Sequence, residues 1–215
     1  MNNLAGVITT LEGYYKKERR TTLNRMRERP NAFKILISCL ISLRTRDETT
    51  ERISRELFKI ADTPEKIARM DVKRLEKIVY SSGYYKNKAR TIKHVANVIL
   101  EKYNGGVPDT EKELLSIKGI GRKTANIVLC FAYRKDVIPV DVNVHRIVNR
   151  LGWVRTKNAE QTERELIKII PKKYWRELNG LFILHGKNIC VPMNPFCSKC
   201  PVVKYCKRVG VVKSR

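Results

Sequence analysis

Four cysteines in the last quarter of the chain are spaced closely enough to share one inorganic centre. Cys190, Cys197, Cys200 and Cys206 are separated by six, two and five residues. These irregular gaps suit a chain that wraps around a cuboidal iron–sulfur cluster, which takes four cysteine thiolates. A structural zinc site more often uses two short Cys-x2-Cys knuckles with a longer stretch between them. The spacing therefore predicts an iron–sulfur cluster, with a zinc loop as the alternative.

The other use of clustered cysteines, a disulfide framework, is not expected here. The chain has no recognisable signal peptide, and at 215 residues it is too large to need covalent stapling. The two remaining cysteines, Cys39 and Cys130, lie in apolar helical stretches and are predicted to pack in the core.

Lys123 is a candidate nucleophile. It follows Gly-Ile-Gly-Arg, and a lysine amine attacks carbon once it is neutral. A helix N-terminus, the neighbouring Lys118 and Arg122, and partial burial would each favour the neutral amine. Taken alone, a lysine at such a place is more often a contact to a phosphate.

Asp141 is predicted to cap the helix that contains Val144, Ile147 and Val148. A helix cap is the common role of an aspartate at such a position. A carboxylate held there can also stabilise positive charge that develops at C1′ of a sugar, as glycosidase carboxylates do. Both roles remain open on the residues alone.

The elements that position these residues are predicted to be α-helical, because no segment alternates with the period of a strand. The first helix is predicted to end in the basic run Lys16, Lys17, Arg19 and Arg20, and Thr45–Glu48 and Thr110–Glu113 have capping-box spacing. The predicted helices are 3–19, 33–43, 45–60, 64–70, 72–80, 86–103, 110–117, 122–134, 142–151, 159–170 and 174–189.

Residues 114–129 predict two short helices joined by the turn Gly119-Ile120-Gly121. The glycines can adopt backbone angles closed to other residues, and Ile120 can fill the crevice between the helices. Free amides of the turn and of the next helix would then point at an anion. This helix-hairpin-helix arrangement grips a DNA phosphate without reading sequence. A plain glycine helix stop is the alternative, and a phosphate-binding loop lacks its strand and its glycine spacing.

The composition indicates a polyanionic partner. The chain has 45 Lys and Arg against 21 Asp and Glu, a formal net charge of +24. So large a surplus opposes compaction unless a polyanion is bound, and DNA is the obvious candidate. A heat-adapted surface would raise Lys and Glu together, which is not the case here. No apolar run is long enough for a membrane span, so we expect a soluble, cytoplasmic protein that associates with the nucleoid through DNA.

The sequence resembles endonuclease III. The resemblance rests on Leu-x-x-Ile-x-Gly-Ile-Gly-Arg-Lys-Thr-Ala at 114–125, on Val140-Asp141 and on the four cysteines, and it covers almost all of residues 30–206. That family belongs to the helix-hairpin-helix, Gly/Pro-rich, aspartate DNA glycosylases, and we expect a member of the thermophilic or archaeal type. His185-Gly186, just before the first cysteine, also matches.

The resemblance implies a role for each candidate residue. Lys123 would be the Schiff-base nucleophile, Asp141 the motif aspartate, and the four cysteines the ligands of a [4Fe–4S] cluster. The implied fold is all-α with two lobes: residues 24–135, with the hairpin at about 110–134, and residues 1–23 plus 136–215, with the cluster loop at 190–206. A DNA cleft would lie between the lobes, with Lys123 and Asp141 facing each other across it.

The implied function is that of a bifunctional DNA glycosylase and abasic-site lyase. It would excise oxidised pyrimidines from duplex DNA and cleave the abasic strand by β-elimination, acting as a monomer on damaged or abasic duplexes. A monofunctional thymine or uracil mismatch glycosylase is one alternative, although such relatives generally lack the lysine. A non-catalytic DNA-binding protein is the other, but it has no need of Lys123 and Asp141 together.

Three positions depart from the family pattern. Arg44 stands where many relatives have a glutamine, Tyr84 where a leucine is usual, and Asn143 where a histidine is found two residues after the aspartate. Arg and Tyr can still fill or wedge a duplex, because both stack on bases. The predicted DNA contacts are Arg44, Tyr84, Gly119, Ile120, Gly121, Arg122, and Lys199 and Lys204 of the basic cysteine loop.

Overall fold

The computed structural model describes residues 3–18 and 21–215, and this part of the chain is all-α, as the sequence predicts. It contains twelve α-helices, three short 3-10 turns and no strand. The helices are α1 Asn3–Tyr14, α2 Thr22–Met26, α3 Ala32–Ser42, α4 Asp47–Ile60, α5 Pro64–Arg69, α6 Val72–Val79, α7 Tyr85–Tyr103, α8 Glu111–Ser116, α9 Arg122–Phe131, α10 Val142–Leu151, α11 Ala159–Ile169 and α12 Trp175–Asn188. The 3-10 turns are Lys172–Tyr174, Cys197–Lys199 and Val203–Tyr205.

The described residues form two compact units. One comprises residues 21–135 and carries the hairpin, and we call it the hairpin unit. The other joins residues 3–18 to 136–215 and carries the four clustered cysteines, and we call it the cysteine unit. In neither unit is any described helix both long and apolar enough to pass through a lipid bilayer.

The core of the hairpin unit is built around α3. Eight of the eleven residues of this helix are buried, and it packs against α4, α7 and α9. A helix that is apolar on nearly every face can only be stable when neighbours surround it. Asn31 starts α3 by accepting a hydrogen bond from the Lys34 amide at 2.9 Å. The predicted buried central helix is therefore confirmed.

The core of the cysteine unit lies between α1, α10 and α12. Val144, Ile147, Val148 and Leu151 recur at helical spacing on α10 and are all buried. They pack with the apolar face of α1 and with Phe182 of α12, which is fully buried. This packing fixes α10, and therefore the position of the residue that caps it.

The end predicted for the first helix is wrong, and one short helix was not predicted. Helix α1 ends at Tyr14 rather than near residue 19, so Lys16 and Lys17 follow it, while Arg19 and Arg20 lie outside the described residues. The short helix α2 was not predicted. Its first amide, that of Thr22, donates to the carboxylate of Asp47 at 3.1 Å, a contact that no local sequence pattern announces.

The predicted capping box at Thr45 does not form. Helix α4 begins at Asp47, and Arg46 is its N-cap residue without a side-chain hydrogen bond to the helix. The hydroxyl of Thr45 instead donates to the carbonyl of Leu43 at 3.3 Å. Thr45 therefore belongs to the turn between α3 and α4 rather than to the start of α4.

Candidate functional site

The hairpin forms where the sequence predicts it. The Thr110 hydroxyl accepts from the Glu113 amide at 3.3 Å, which confirms the second capping box at the start of α8. Ile120 is buried, and its amide donates to the Ile117 carbonyl at 3.0 Å, so it fills the space between the two helices as predicted. Helix α9 then begins at once, with Gly121 as its N-cap residue.

The two glycines of the hairpin have different roles. Gly119 has a φ of +100°, and a Cβ there would lie 2.5 Å from Cγ2 of Thr91, so only glycine fits. Gly121 has a φ of −93°, which any residue adopts, and a Cβ there would meet no atom within 4 Å. The prediction of special backbone angles is therefore wrong for Gly121. Its missing side chain instead leaves the first-turn amides of α9 uncapped and open to an anion.

Lys123 lies on the first turn of α9 with its side chain exposed. The expectation of partial burial is wrong for this chain without DNA, and the amine is free to meet a substrate. Arg122, one residue earlier, pairs with Glu111 of α8 at 3.2 Å and so joins the two helices of the hairpin. The nucleophile candidate therefore projects from a rigid hairpin rather than from a loop.

Asp141 caps α10, as predicted. One carboxylate oxygen, Oδ1, accepts from the amides of Asn143 and Val144, both at 2.9 Å. The other oxygen, Oδ2, accepts from the side-chain amide of Asn143 at 3.1 Å. The residue is only 7% exposed. Three donors therefore fix both oxygens of the carboxylate in place.

A chain of hydrogen bonds connects Asp141 to residues 190–206, the loop that carries the four clustered cysteines, which we call the cysteine loop. The guanidinium of Arg146 donates through Nη2 to Oδ1 of Asn143 at 2.8 Å and to the Gly186 carbonyl at 3.1 Å. Its Nε donates to the carbonyl of Cys190 at 3.0 Å. Gly186 makes room for this arrangement, since a Cβ there would lie 2.5 Å from Oδ1 of Asn143. The side chain of Asn143 is thus held by Asp141 through its nitrogen and by Arg146 through its oxygen.

The structure brings together two predicted DNA-contact residues that lie 40 positions apart in the sequence. The guanidinium of Arg44 donates to the hydroxyl of Tyr84 at 2.8 Å. It also lies over the ring of Tyr84, with its carbon 5.2 Å from the ring centroid. Both side chains are exposed. An arginine and an aromatic ring stacked at the surface offer two flat faces to a base.

The four clustered cysteines line one small cavity of about 30 Å³ in the cysteine unit. Hydrogen-bond donors face their sulfur atoms: Nη1 of Arg150 lies 3.4 Å from Sγ of Cys190, and the Arg208 amide lies 3.4 Å from Sγ of Cys206. Burial raises the pKa of Cys200 to about 11 and also raises that of Cys206. A metal centre would have to displace these protons, as metal binding to thiols generally does.

The four cysteines provide the number and type of ligands that an iron–sulfur cluster takes, one thiolate on each of four irons. Within residues 3–18 and 21–215, no three His, Cys, Asp or Glu side chains converge tightly enough to hold one metal ion.

The ring of His185 lines this cavity beside the four cysteines. The ring is buried, with Nδ1 3.1 Å from the Tyr15 hydroxyl and Nε2 3.6 Å from Sγ of Cys200. Burial, with the nearby Arg146, lowers the pKa of His185 to about 4. A neutral imidazole can therefore contact Cys200 in this loop without adding charge.

The chain beyond the last cysteine folds back over the loop. The Arg215 amide donates to the Pro195 carbonyl at 2.8 Å, and the Ser198 amide donates to the Arg215 carbonyl at 3.1 Å. The Arg215 guanidinium lies 4.1 Å from the ring centroid of Phe196. Of the predicted basic contacts in this loop, Lys199 is exposed, and Lys204 is exposed with its amine 4.9 Å above the ring of Tyr205.

Sequence reasoning missed the supporting role of Asn143, Arg146 and Lys88. Asn143 and Arg146 are three residues apart on α10, so one helical face carries both behind the aspartate cap. That spacing could have signalled a link to Asp141. Lys88 is a lysine in the apolar stripe of α7, beside the buried Ala89 and Ile92, and an amine in such a stripe must find an acceptor.

Comparison with known proteins gives consistent matches. The profile of the HhH-GPD superfamily, described as base excision DNA repair proteins, matches residues 37–172. Endonuclease III of Thermotoga maritima is 44% identical over 175 residues, which cover 81% of this chain and 82% of that protein. A trapped covalent endonuclease III–DNA intermediate is similar in structure, with 30% identity, a TM-score of 0.84 and coverage of 96% of this chain and 95% of that one. A non-covalent endonuclease III–DNA complex has a TM-score of 0.85 at 30% identity, covering 96% and 94%.

Proposed function

Because the chain belongs to the endonuclease III family, within the HhH-GPD superfamily of base excision DNA repair proteins, we propose that it excises oxidised pyrimidines and cleaves the abasic strand through an imine on Lys123. It is a DNA glycosylase and abasic-site lyase, and duplex DNA is its partner. The lesion class, the nucleophile and the roles of the two key residues are the proposed part.

Base loss requires the damaged nucleotide to leave the stack, because C1′ is shielded inside a duplex. The neutral amine of Lys123 then attacks C1′, and the base departs with the electron pair of the glycosidic bond. Asp141 accepts the proton that the amine loses, and its negative charge stabilises the positive charge that develops at C1′. Oxidised pyrimidines pair and stack weakly, so they cost less to extrude than intact bases.

Strand cleavage follows from the same covalent bond. The C1′–O4′ bond breaks as O4′ takes a proton, which leaves an imine between C1′ and the nitrogen of Lys123. The imine acidifies the hydrogens at C2′, and loss of one of them expels the 3′ phosphate together with the C3′–O electron pair. Water then hydrolyses the imine and returns the amine of Lys123.

The observation that carries this proposal is the exposed amine of Lys123 on the first turn of α9. It projects beside a backbone that can bind phosphate, in a chain similar over 96% of its length to an endonuclease III trapped as a covalent DNA intermediate. A monofunctional mismatch glycosylase would have no use for an amine there. The carboxylate of Asp141, fixed by three donors, suits the second role.

We also propose that Cys190, Cys197, Cys200 and Cys206 hold a [4Fe–4S] cluster, as their cavity and donor set allow. When bound, the cluster supplies a cross-link that fixes the loop, and none of the steps above requires electron transfer. The positive side chain of Arg150 and the amide of Arg208 would balance the negative charge of the thiolates. We expect a monomer that works on chromosomal DNA in the cytoplasm.

Borohydride trapping tests the nucleophile. Incubation with a duplex containing thymine glycol, in the presence of borohydride, should give a covalent protein–DNA adduct, and Lys123→Gln should abolish both this adduct and strand cleavage. Glutamine keeps much of the length and polarity of lysine but has no amine, so binding to damaged DNA should remain. Lys112→Gln is the matched control, since it removes another exposed amine of the same hairpin. An adduct formed by Lys123→Gln at the normal rate would assign the chemistry to another amine.

A further inference from the structure

Two turns of the hairpin unit are packed directly on each other. The first, residues 43–46, connects α3 to α4, and the second, residues 80–84, connects α6 to α7. We call them the paired turns. A Cβ at Gly83 would lie 2.9 Å from the backbone oxygen of Arg44, closer than real Cβ atoms approach, so the two backbones touch. The side chain of Arg52 adds a hydrogen bond to the Ser81 hydroxyl.

The exposed side chains of the paired turns are held in unusual positions. Arg44 and Tyr84 both have left-handed backbone conformations, with φ of 53° and 58°. Such conformations cost a non-glycine residue about 1 kcal/mol or more and persist where the surroundings dictate them. Tyr84 is 63% exposed and stacks with Arg44, and the neighbouring Leu43 is 42% exposed. A flat, partly apolar pair therefore projects from the protein.

Lys88, on the first turns of α7, reaches under the first of the paired turns. Its ammonium donates to the Ile41 carbonyl at 2.8 Å and to the Thr45 hydroxyl at 2.6 Å. The residue is only 7% exposed, both acceptors are uncharged, and burial lowers its pKa to about 8. A buried amine is costly, but this one ties the last turn of α3 to the residue that follows Arg44.

We infer that Lys88 is a positioning residue, which holds the paired turns so that Arg44 and Tyr84 enter damaged DNA as one stacked pair. The inference rests on the proposed function in one respect: a nucleotide must leave the duplex, and the gap must be filled. A guanidinium and a phenol ring both stack on bases. Since the pair is assembled before binding, little side-chain entropy is lost when it inserts. Neither residue should work well without the other.

A double-mutant cycle tests the pairing. Arg44→Ala, Tyr84→Ala and the double variant are compared by affinity for a duplex that contains a tetrahydrofuran abasic analogue, which cannot be cleaved. Each single substitution should weaken binding about tenfold, as expected for the loss of a stacked contact. The double variant should lose little more than the worse single variant. Losses that multiply would mean that the residues act independently and would overturn the inference.

Lys88 is tested against a lysine of the same helix. Lys93 also donates to backbone carbonyls, those of Ala68 and Met70, but lies away from the paired turns. Lys88→Met should weaken binding as much as Arg44→Ala does, and combining Lys88→Met with Arg44→Ala should weaken binding no further. Lys93→Met should leave binding unchanged. Equal effects of the two lysine variants would reduce Lys88 to a structural residue.

A milder variant covers the case in which Lys88→Met does not fold. Thr45→Val keeps the shape of the side chain but removes the hydroxyl that accepts from Lys88. It should weaken binding to the abasic analogue several-fold in the protein that keeps Tyr84, and it should have no effect in the Tyr84→Ala variant. An equal loss in both backgrounds contradicts the inference. Failure of borohydride trapping with the unmodified protein would sink the proposed imine chemistry, but it would leave this binding test intact.

Discussion

At the scale of single residues, the carboxylate of Asp141 differs from an ordinary helix cap in the number of groups that hold it. A cap needs one oxygen, and here Asn143 also holds the second oxygen while Arg146 holds Asn143. The anchor of Arg146 is the carbonyl of Cys190, the first of the four clustered cysteines. The orientation of the Asp141 carboxylate therefore depends on the cysteine loop through two side chains.

Substitutions of Asp141 and Asn143 should separate the effect of the carboxylate's charge on base loss from the effect of its orientation. Asp141→Asn should slow base loss by roughly a thousandfold, because the charge opposite C1′ disappears. Asn143→Ala should lower the single-turnover rate of base loss about tenfold at saturating enzyme, because the carboxylate stays but loses one support. Single-turnover assays on a thymine glycol duplex measure both.

The exposed neighbour Val142 offers a matched control. It is 73% exposed on the same turn of α10, and Val142→Ala should have normal activity. If Asn143→Ala also has normal activity, the hydrogen bond to Oδ2 does not orient Asp141 for the role proposed for it. If Val142→Ala is as slow as Asn143→Ala, the effect belongs to the helix end as a whole.

The residue scale also separates what the sequence could predict from what it could not. The caps at Asp141 and Thr110 were predictable, because an N-cap acts on amides two or three residues away. The bond from Arg146 to Cys190 spans 44 positions, and the stack of Arg44 on Tyr84 spans 40. Contacts at that separation depend on how helices pack, which no local pattern specifies.

At the scale of elements, the hairpin offers a test with an internal control. Gly121→Ala should leave the melting temperature unchanged, because its backbone is ordinary and its Cβ would meet open space. It should weaken DNA binding several-fold, since a methyl group would stand over the uncapped amides of α9. Gly119→Ala should destabilise the fold by at least 1–2 kcal/mol, roughly the cost of the left-handed conformation alone.

Thermal denaturation and affinity for undamaged duplex, measured on the same preparations, distinguish these outcomes. The role given to the turn is wrong if Gly121→Ala binds DNA normally, or if it loses as much stability as Gly119→Ala. The sequence alone assigned both glycines the same backbone role, because the motif does not reveal that Thr91 of α7 lies against only one of them.

The cysteine loop is expected to hold iron. The purified protein should be brown, with about four irons and broad absorption near roughly 400 nm, as iron–thiolate clusters have. Cys200→Ser should lose iron and, with it, DNA affinity. Cys39→Ala should keep both, because Cys39 is buried in α3 and far along the chain from the loop. A colourless, active preparation with stoichiometric zinc would contradict the assignment.

Helix boundaries were predictable where packing and capping agree. Helix α10 has a cap at Asp141, buried residues at helical spacing and Gly152 in a left-handed conformation after its end, and it was predicted with the observed bounds. Helix α2 has only five residues and no side-chain cap, and it is held by Asp47 from another helix. Its formation follows from tertiary contact, so no local sequence signal predicts it.

At the scale of the whole molecule, the charge is the dominant property. If every one of the 21 acidic residues were paired with a basic one, 24 of the 45 basic residues would still have no acidic partner in the chain. Duplex DNA carries a phosphate charge for about every 1.7 Å of its axis, so it can neutralise many of them at once. Such binding releases condensed counterions, and its strength must therefore fall as salt rises.

We expect the affinity for undamaged duplex to fall about a hundredfold or more between 50 and 200 mM salt, which corresponds to several neutralised phosphates. Duplexes of different sequence should give the same slope of log affinity against log salt, because a backbone-gripping hairpin reads no bases. Fluorescence anisotropy on two unrelated duplexes measures both quantities. Lys118→Gln removes one cation and should lower the magnitude of the salt slope by at most about one. The change should be the same for both duplexes. A flat salt dependence, or slopes that differ between the sequences, would mean that base contacts and not the charge surplus hold the protein on DNA.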